Sequence, residues 1–273
     1  MSDRRLTFAN ARVAHFSLQG QVEAPSYADV TPYEVAVPLA DLLREPGGVR
    51  ERQLLLGDGF EVIEEIDGFA FGRSTKDGYC GYLPESALCE PTRVSHWLSA
   101  PASHLYSEPR AQAPQTVGIS FGSRLRVLGQ TGAFAETPHG FVPAGHLHIL
   151  GSWYDDPVEV AGLFLGTPYL WGGNSHSGVD CSGLVQLSLL ACGQACPGDS
   201  DLQQTLGQQV PEGEPLQRGD LLFWKGHVGM MVDAQQMVHA TGHFMATVIE
   251  PVAEAIARIR DLAGLEVIAQ RRI

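Results

Sequence analysis

Short apolar runs broken by glycine-containing turns dominate the first half of the chain. The stretch QLLLGDGFEVIEEIDGFAFGR gives three such runs, interrupted at Gly57-Asp58-Gly59 and Asp67-Gly68. This pattern predicts short strands joined by tight turns. A second stretch, GISFGSRLRVLGQTGAFAETPHGFVPAGHL, repeats the plan, with Gly57 matching Gly122, Val62-Ile63 matching Val127-Leu128, and Gly81-Tyr82 matching Gly140-Phe141. In both copies a leucine (Leu88, Leu147) follows a proline (Pro84, Pro143) by four residues. An internal repeat of this kind predicts two small β-barrels. Upstream, VPLADLLREPGG predicts one or two helical turns ended by Pro46 and Gly47.

The pattern changes near residue 153. Asp155-Asp156-Pro157 opens a predicted helix, and SGLVQLSLLACG has apolar residues at 184, 185, 187, 189 and 190, too densely placed for one face. That density predicts a largely buried helix. RGDLLFWKGHVGMMVDAQQMVHATGHFMATVIEP then reads as antiparallel strands, and a helix after Glu250-Pro251 is expected to keep Arg258 and Arg260 in solvent. Helix first and strands after, without βαβ alternation, is an α+β pattern. The expected divisions are an N-terminal segment 1–45, barrels at 46–91 and 92–152, and an α+β domain at 153–273.

Composition narrows the partners. With 31 acidic and 18 basic residues the formal charge is −13, which disfavours nucleic acid and anionic membrane surfaces. No run approaches the roughly 20 apolar residues of a membrane span. The basic start MSDRR is not followed by the apolar core of a secretory signal. Five cysteines form no disulfide framework, so a reducing, cytoplasmic setting is the expectation.

The sharpest chemical feature is GVDCSGLVQ, which sets Cys181 between a glycine-rich loop and a buried helix. A thiol of ordinary pKa, near 8.5, needs about 2 kcal/mol of help to become thiolate near neutrality. A helix N-terminus supplies about 0.3–1 kcal/mol. An imidazolium is the usual source of the rest. His227 in KGHVGMM and His239 in MVHATGH lie twelve residues apart on neighbouring predicted strands, with His243 in the following turn as a rival to His239. One would serve as base and the other would orient it. The same residues read equally well as a small buried cysteine and two core histidines.

Taken together, PYLWGGNSHSGVDCSGLVQ, GDLLFWKGHVGMMVD and VHA resemble the NlpC/p60 cysteine peptidases, papain-like hydrolases of cell-wall peptides. The upstream repeats resemble bacterial SH3-like domains, as in the dipeptidyl-peptidase branch of that family. The resemblance implies hydrolysis of the γ-D-glutamyl bond to meso-diaminopimelate or lysine in stem peptides with an unblocked N-terminal L-alanine, as in peptidoglycan recycling. It implies Cys181 as nucleophile, His227 as base and acid, and His239 as the orienting residue. Tyr169 would help the Cys181 N–H hold the oxyanion, or is a core aromatic beside Trp171. Asp180 and Ser182 would contact substrate, and Asp180 also suits a helix N-cap. In CPGDSDLQQ, Asp199 would receive the substrate ammonium and Ser200 the D-glutamate carboxylate, unless the pair is a plain Asx turn. Gly198 stands where the family usually has an arginine. Asp58 and Tyr79 would close one end of the cleft from the first barrel, with Tyr82 packing inside it; a turn role suits Asp58 as well.

No metal or cofactor is implied, and His146-x-His148 lacks the carboxylate or cysteine partners of a metal site. Two rivals share these residues: a wall-fragment binding module with an inactive domain, and an acyltransferase using the same Cys-His-His site. The sequence leaves the oligomeric state open.

Overall fold

The computed structural model describes residues 3–211 and 213–273, and the chain divides into two units, Met1–Leu150 and Gly151–Ile273. Each is taken by itself.

The first unit is built of strands. Seven of them, between Thr31–Val35 and Leu88–Cys89, form one sheet, and eight more between His96–Leu98 and Leu147–Ile149 form two further sheets. Val35, Leu42, Leu54, Phe60 and Leu83 make one apolar core, and Leu98, Leu105, Ile119, Leu125 and Val142 make another. The repeat read from the sequence has a structural counterpart. Pro84 and Pro143 each cap a 3-10 turn, Glu85–Ala87 and Ala144–His146, that leads into the strand holding Leu88 or Leu147. Gly57 and Gly122 both adopt positive φ, +79° and +88°, which explains glycine at both turns.

Two expectations need correction here. VPLADLLREPGG is not helical: Leu39–Leu43 is a strand whose burial alternates, because it pairs with Arg50–Leu55 and places Ala40 and Leu42 in the core. The first sheet also starts at Thr31, so residues expected in a separate N-terminal segment belong to it.

The second unit holds the helices α1 (Pro157–Gly162), α2 (Cys181–Ala191), α3 (Ser200–Gln203) and α4 (Val252–Ala263). Its antiparallel sheet contains β1 (Gln208–Gln209), β2 (Leu221–Trp224), β3 (His227–Met231), β4 (Gln236–Thr241), β5 (Ala246–Pro251) and β6 (Ala269–Arg272), in the order β1-β6-β2-β3-β4-β5. Asp156 caps α1 by accepting from the Val158 N–H at 2.8 Å, with Pro157 at the first helical position. Ten of the eleven α2 residues are buried, as the dense apolar run requires. Gly193, at φ +72°, follows its C-terminus. α2 packs against α1 and against β3 and β4, the strands that carry the histidines.

Candidate active site

Asp180 is the N-cap of α2, and this fixes the thiol. One carboxylate oxygen accepts from the Gly183 N–H at 2.6 Å and from the Ser182 hydroxyl at 2.9 Å, and the other accepts from the Gly172 N–H at 2.9 Å. A single buried carboxylate thus satisfies helix-terminal donors and ties the glycine-rich loop to the helix. Cys181 follows at the first helical position, 6% exposed. Asp180 and Ser182, expected at the substrate, are also buried and spend these bonds on the scaffold. The N-cap role read for Asp180 is present, and it is compatible with a substrate contact.

Three buried amides, to which the sequence reading gave no role, brace α2. Asn174 donates to Gln186 at 3.0 Å, and Gln186 donates to the Cys196 carbonyl at 3.1 Å. Gln203 donates to the carbonyls of Ser182 (2.9 Å) and Pro197 (3.0 Å). The segment 196–203 is thereby fixed to α2, through Ser182 in its first turn and Gln186 in its second. Asp199, at the head of α3, has φ +60°. A non-glycine residue in that region costs about 1–3 kcal/mol. Ser200 beside it is 7% exposed.

On the sheet, Nε2 of His227 lies 2.8 Å from Nδ1 of His239, whose Nε2 lies 2.7 Å from Oε1 of Glu250. Arg258 of α4 donates to the same Glu250 oxygen and lies over the ring of Phe244, 5.1 Å from its centroid. Arg258 is therefore not the solvated residue expected; its side chain is 17% exposed and paired. His243 lies in the turn after β4 with its ring against Phe244, so His239 holds the second position.

Burial pushes His227 down to about 3, with His239 and Arg258 adding to the effect, and pushes His239 down to about 4, helped by Arg258. Both shifts favour the neutral imidazole. A neutral imidazole is the form that can take up a proton, as a general base must. Burial, with Cys181 and Asp180 adding, raises the Tyr169 phenol well above its usual range, so it keeps its proton. Burial raises the thiols of Cys80 to about 12 and Cys192 to about 11, away from reactivity.

The depressed histidines have a consequence for stability. The unfolded chain, with imidazoles near 6.5, binds more protons than the native one between that value and about 4. Stability is therefore complete above pH 6.5 and is lost as pH falls through this window, by about 2 kcal/mol at pH 5 for His239 alone. Urea midpoints at pH 7.5 and pH 5 should fall further in the wild type than in His239→Gln; parallel falls would contradict this account.

Asp58 and Tyr79 belong to the first unit and are buried there, Asp58 in the turn role weighed for it. The Asp58 carboxylate accepts from the Leu55 N–H at 2.9 Å and pairs with buried Lys76 at 2.6 Å, so its charge is already neutralised in its turn. Tyr79 packs among Val35, Leu54, Phe60 and Leu83. Tyr82 is buried too, its hydroxyl accepting from Asn10 and Arg12. The His146 ring bonds the Ser103 hydroxyl at 2.8 Å.

A thiol heading a buried helix, beside strands that carry a hydrogen-bonded imidazole pair, is the equipment of a cysteine hydrolase. Residues 166–260 match the NlpC/P60 family and residues 42–88 match the bacterial dipeptidyl-peptidase SH3 domain; the chain carries an NlpC/P60 domain preceded by an SH3 domain of that kind. A gamma-D-glutamyl-L-lysine dipeptidyl-peptidase of Bacillus cereus is 29% identical over 227 residues, 70% of this chain and 67% of the relative. Dipeptidyl-peptidase 6 of Lysinibacillus sphaericus is 26% identical, over 76% of this chain and 86% of its own. The crystal structure of an NlpC/P60 family protein from Bacillus cereus superposes with a TM-score of 0.73 at 22% identity, covering 89% of this chain and 99% of that one. That structure speaks for the fold.

Proposed function

We propose that the protein is a cysteine peptidase that hydrolyses the γ-D-glutamyl–diamino acid bond of cell-wall stem peptides bearing an unblocked N-terminal L-alanine. The observation that carries this reading is the Cys181 thiol at the start of α2, in a domain whose His227 and His239 rings are joined at 2.8 Å. The relatives named for γ-D-glutamyl-L-lysine and dipeptidyl chemistry support the substrate class. Cys181 attacks the γ-carbonyl while His227 takes its proton. The Cys181 N–H and the Tyr169 hydroxyl receive the oxyanion. His227 then protonates the departing amine, and water, activated by the same ring, releases the dipeptide from the thioester. His239 orients His227.

Asp199 is assigned to the substrate ammonium and Ser200 to the D-glutamate α-carboxylate. The strained backbone of Asp199 and the Gln203 bonds that anchor its segment to α2 support this assignment. With Gly198 in the family's arginine position, no guanidinium clamps the carboxylate from there. The strands at 92–152 belong to this reading as a second SH3-like barrel, α2 against the sheet as a papain-like core, and the setting as cytoplasmic recycling of wall fragments.

L-Ala-γ-D-Glu-L-Lys and its N-acetylated counterpart, offered separately, test the assignment. Cleavage of the unacetylated peptide at a rate at least a hundredfold above that of its acetylated counterpart is expected. Equal rates would remove Asp199 from the site while keeping the thiol chemistry.

A further inference from the structure

The hydrogen-bonded chain does not end at His239. Glu250, diagonal to His239 across the β4–β5 ladder, places Oε1 at 2.7 Å from His239 Nε2, and Arg258 bonds that same oxygen from α4. His239 is fully buried, and the side chains of Glu250 and Arg258 are 11% and 17% exposed.

We propose that Glu250 and Arg258 are positioning residues of this site: Glu250 selects the tautomer of His239, which makes Nδ1 of His227 the basic nitrogen, and Arg258 holds Glu250 to that role. This rests on the reading of Cys181 and His227 as nucleophile and base. The argument is one of donors and acceptors. A carboxylate paired with a guanidinium is ionised and only accepts, so the His239 nitrogen facing it, Nε2, carries a hydrogen. A neutral imidazole carries one N–H, so Nδ1 of His239 is a lone pair and accepts. Its partner at 2.8 Å, Nε2 of His227, must then donate, which leaves the lone pair of His227 on Nδ1. When Nδ1 takes the thiol proton, both N–H bonds further along stay where they were. The positive charge rests on His227, and Glu250 takes up no proton. The Arg258 charge opposes a second proton on His239, so the ring remains an oriented dipole.

Alkylation of Cys181 by iodoacetamide, located by peptide mass mapping, reads the thiol–imidazole couple without any peptide substrate. Glu250→Ala should slow it, and kcat on γ-glutamyl peptide, by ten- to a hundredfold with KM within twofold. Glu250→Gln, whose amide carbonyl still accepts, should recover all but about threefold of the loss. An alkylation rate of Glu250→Ala equal to wild type, or a Gln variant as slow as Ala at equal melting temperature, would overturn the proposal. Nitrogen-15 spectra of the wild type give a second test should the Ala variant fail to fold: His239 must show a protonated Nε2 and a bare Nδ1, and the opposite tautomer overturns the assignment. A wild type that alkylates normally but cleaves no γ-glutamyl peptide would overturn the substrate reading alone.

Discussion

Cys181→Ala is expected to lose turnover by roughly four orders of magnitude or more while unfolding at the same urea concentration as the wild type. The size follows from the covalent route. Without sulfur there is no thioester, and what survives is only the binding and oxyanion contribution, as in nucleophile deletions elsewhere. The fold survives because α2 owes its start to Asp180, whose carboxylate keeps the Gly183 and Gly172 N–H bonds. Cys181→Ser should be as inactive, since a neutral imidazole held down to about 3 is too weak a base for an alcohol. Steady-state rates and urea midpoints on the same preparations check both statements. A Cys181→Ala protein retaining a tenth of the rate would contradict the mechanism.

Gly183→Ala is expected to destabilise by about 2–4 kcal/mol, against the usual sign for glycine to alanine in a helix, which gains about 1 kcal/mol. A Cβ at Gly183 would sit 2.4 Å from the Gly173 carbonyl oxygen and 3.1 Å from Asp180 Oδ1. The first of these is backbone, and that carbonyl already accepts the Asp180 N–H at 3.2 Å. Relief requires the loop 169–173, with Tyr169 on it, to part from the helix head. Displacement of about 1 Å at a catalytic constellation costs of the order of a hundredfold in rate. The variant should therefore lose both midpoint and kcat. A raised midpoint would show that the loop and helix are less closely packed than described.

Much of the site is legible in the sequence because motif and local structure coincide. Asp180-Cys181-Ser182-Gly183 is an N-cap, a thiol at the helix head, a hydroxyl bonded to the cap and a glycine required by a close carbonyl, all within one helical turn. The repeat was legible for a similar reason, since paired glycines and prolines mark turns wherever they recur. What sequence missed was set by long-range partners. Leu39–Leu43 reads as a helical turn until its neighbouring strand is known. Glu250 and Arg258 look like a strand end and a solvated helix face; only the β4–β5 register and the α4 position bring them to His239. The ion pair of Asp58 was not legible because nothing local announces Lys76, eighteen residues on. The downward shift of His227 comes first from burial, which no local residue pattern announces.

The most direct measurement is mass-spectrometric identification of the bond broken in unacetylated L-Ala-γ-D-Glu-L-Lys. Release of L-Ala-D-Glu together with lysine, dependent on Cys181, is the predicted result. Recovery of the intact tripeptide, or scission between alanine and glutamate, would contradict the account.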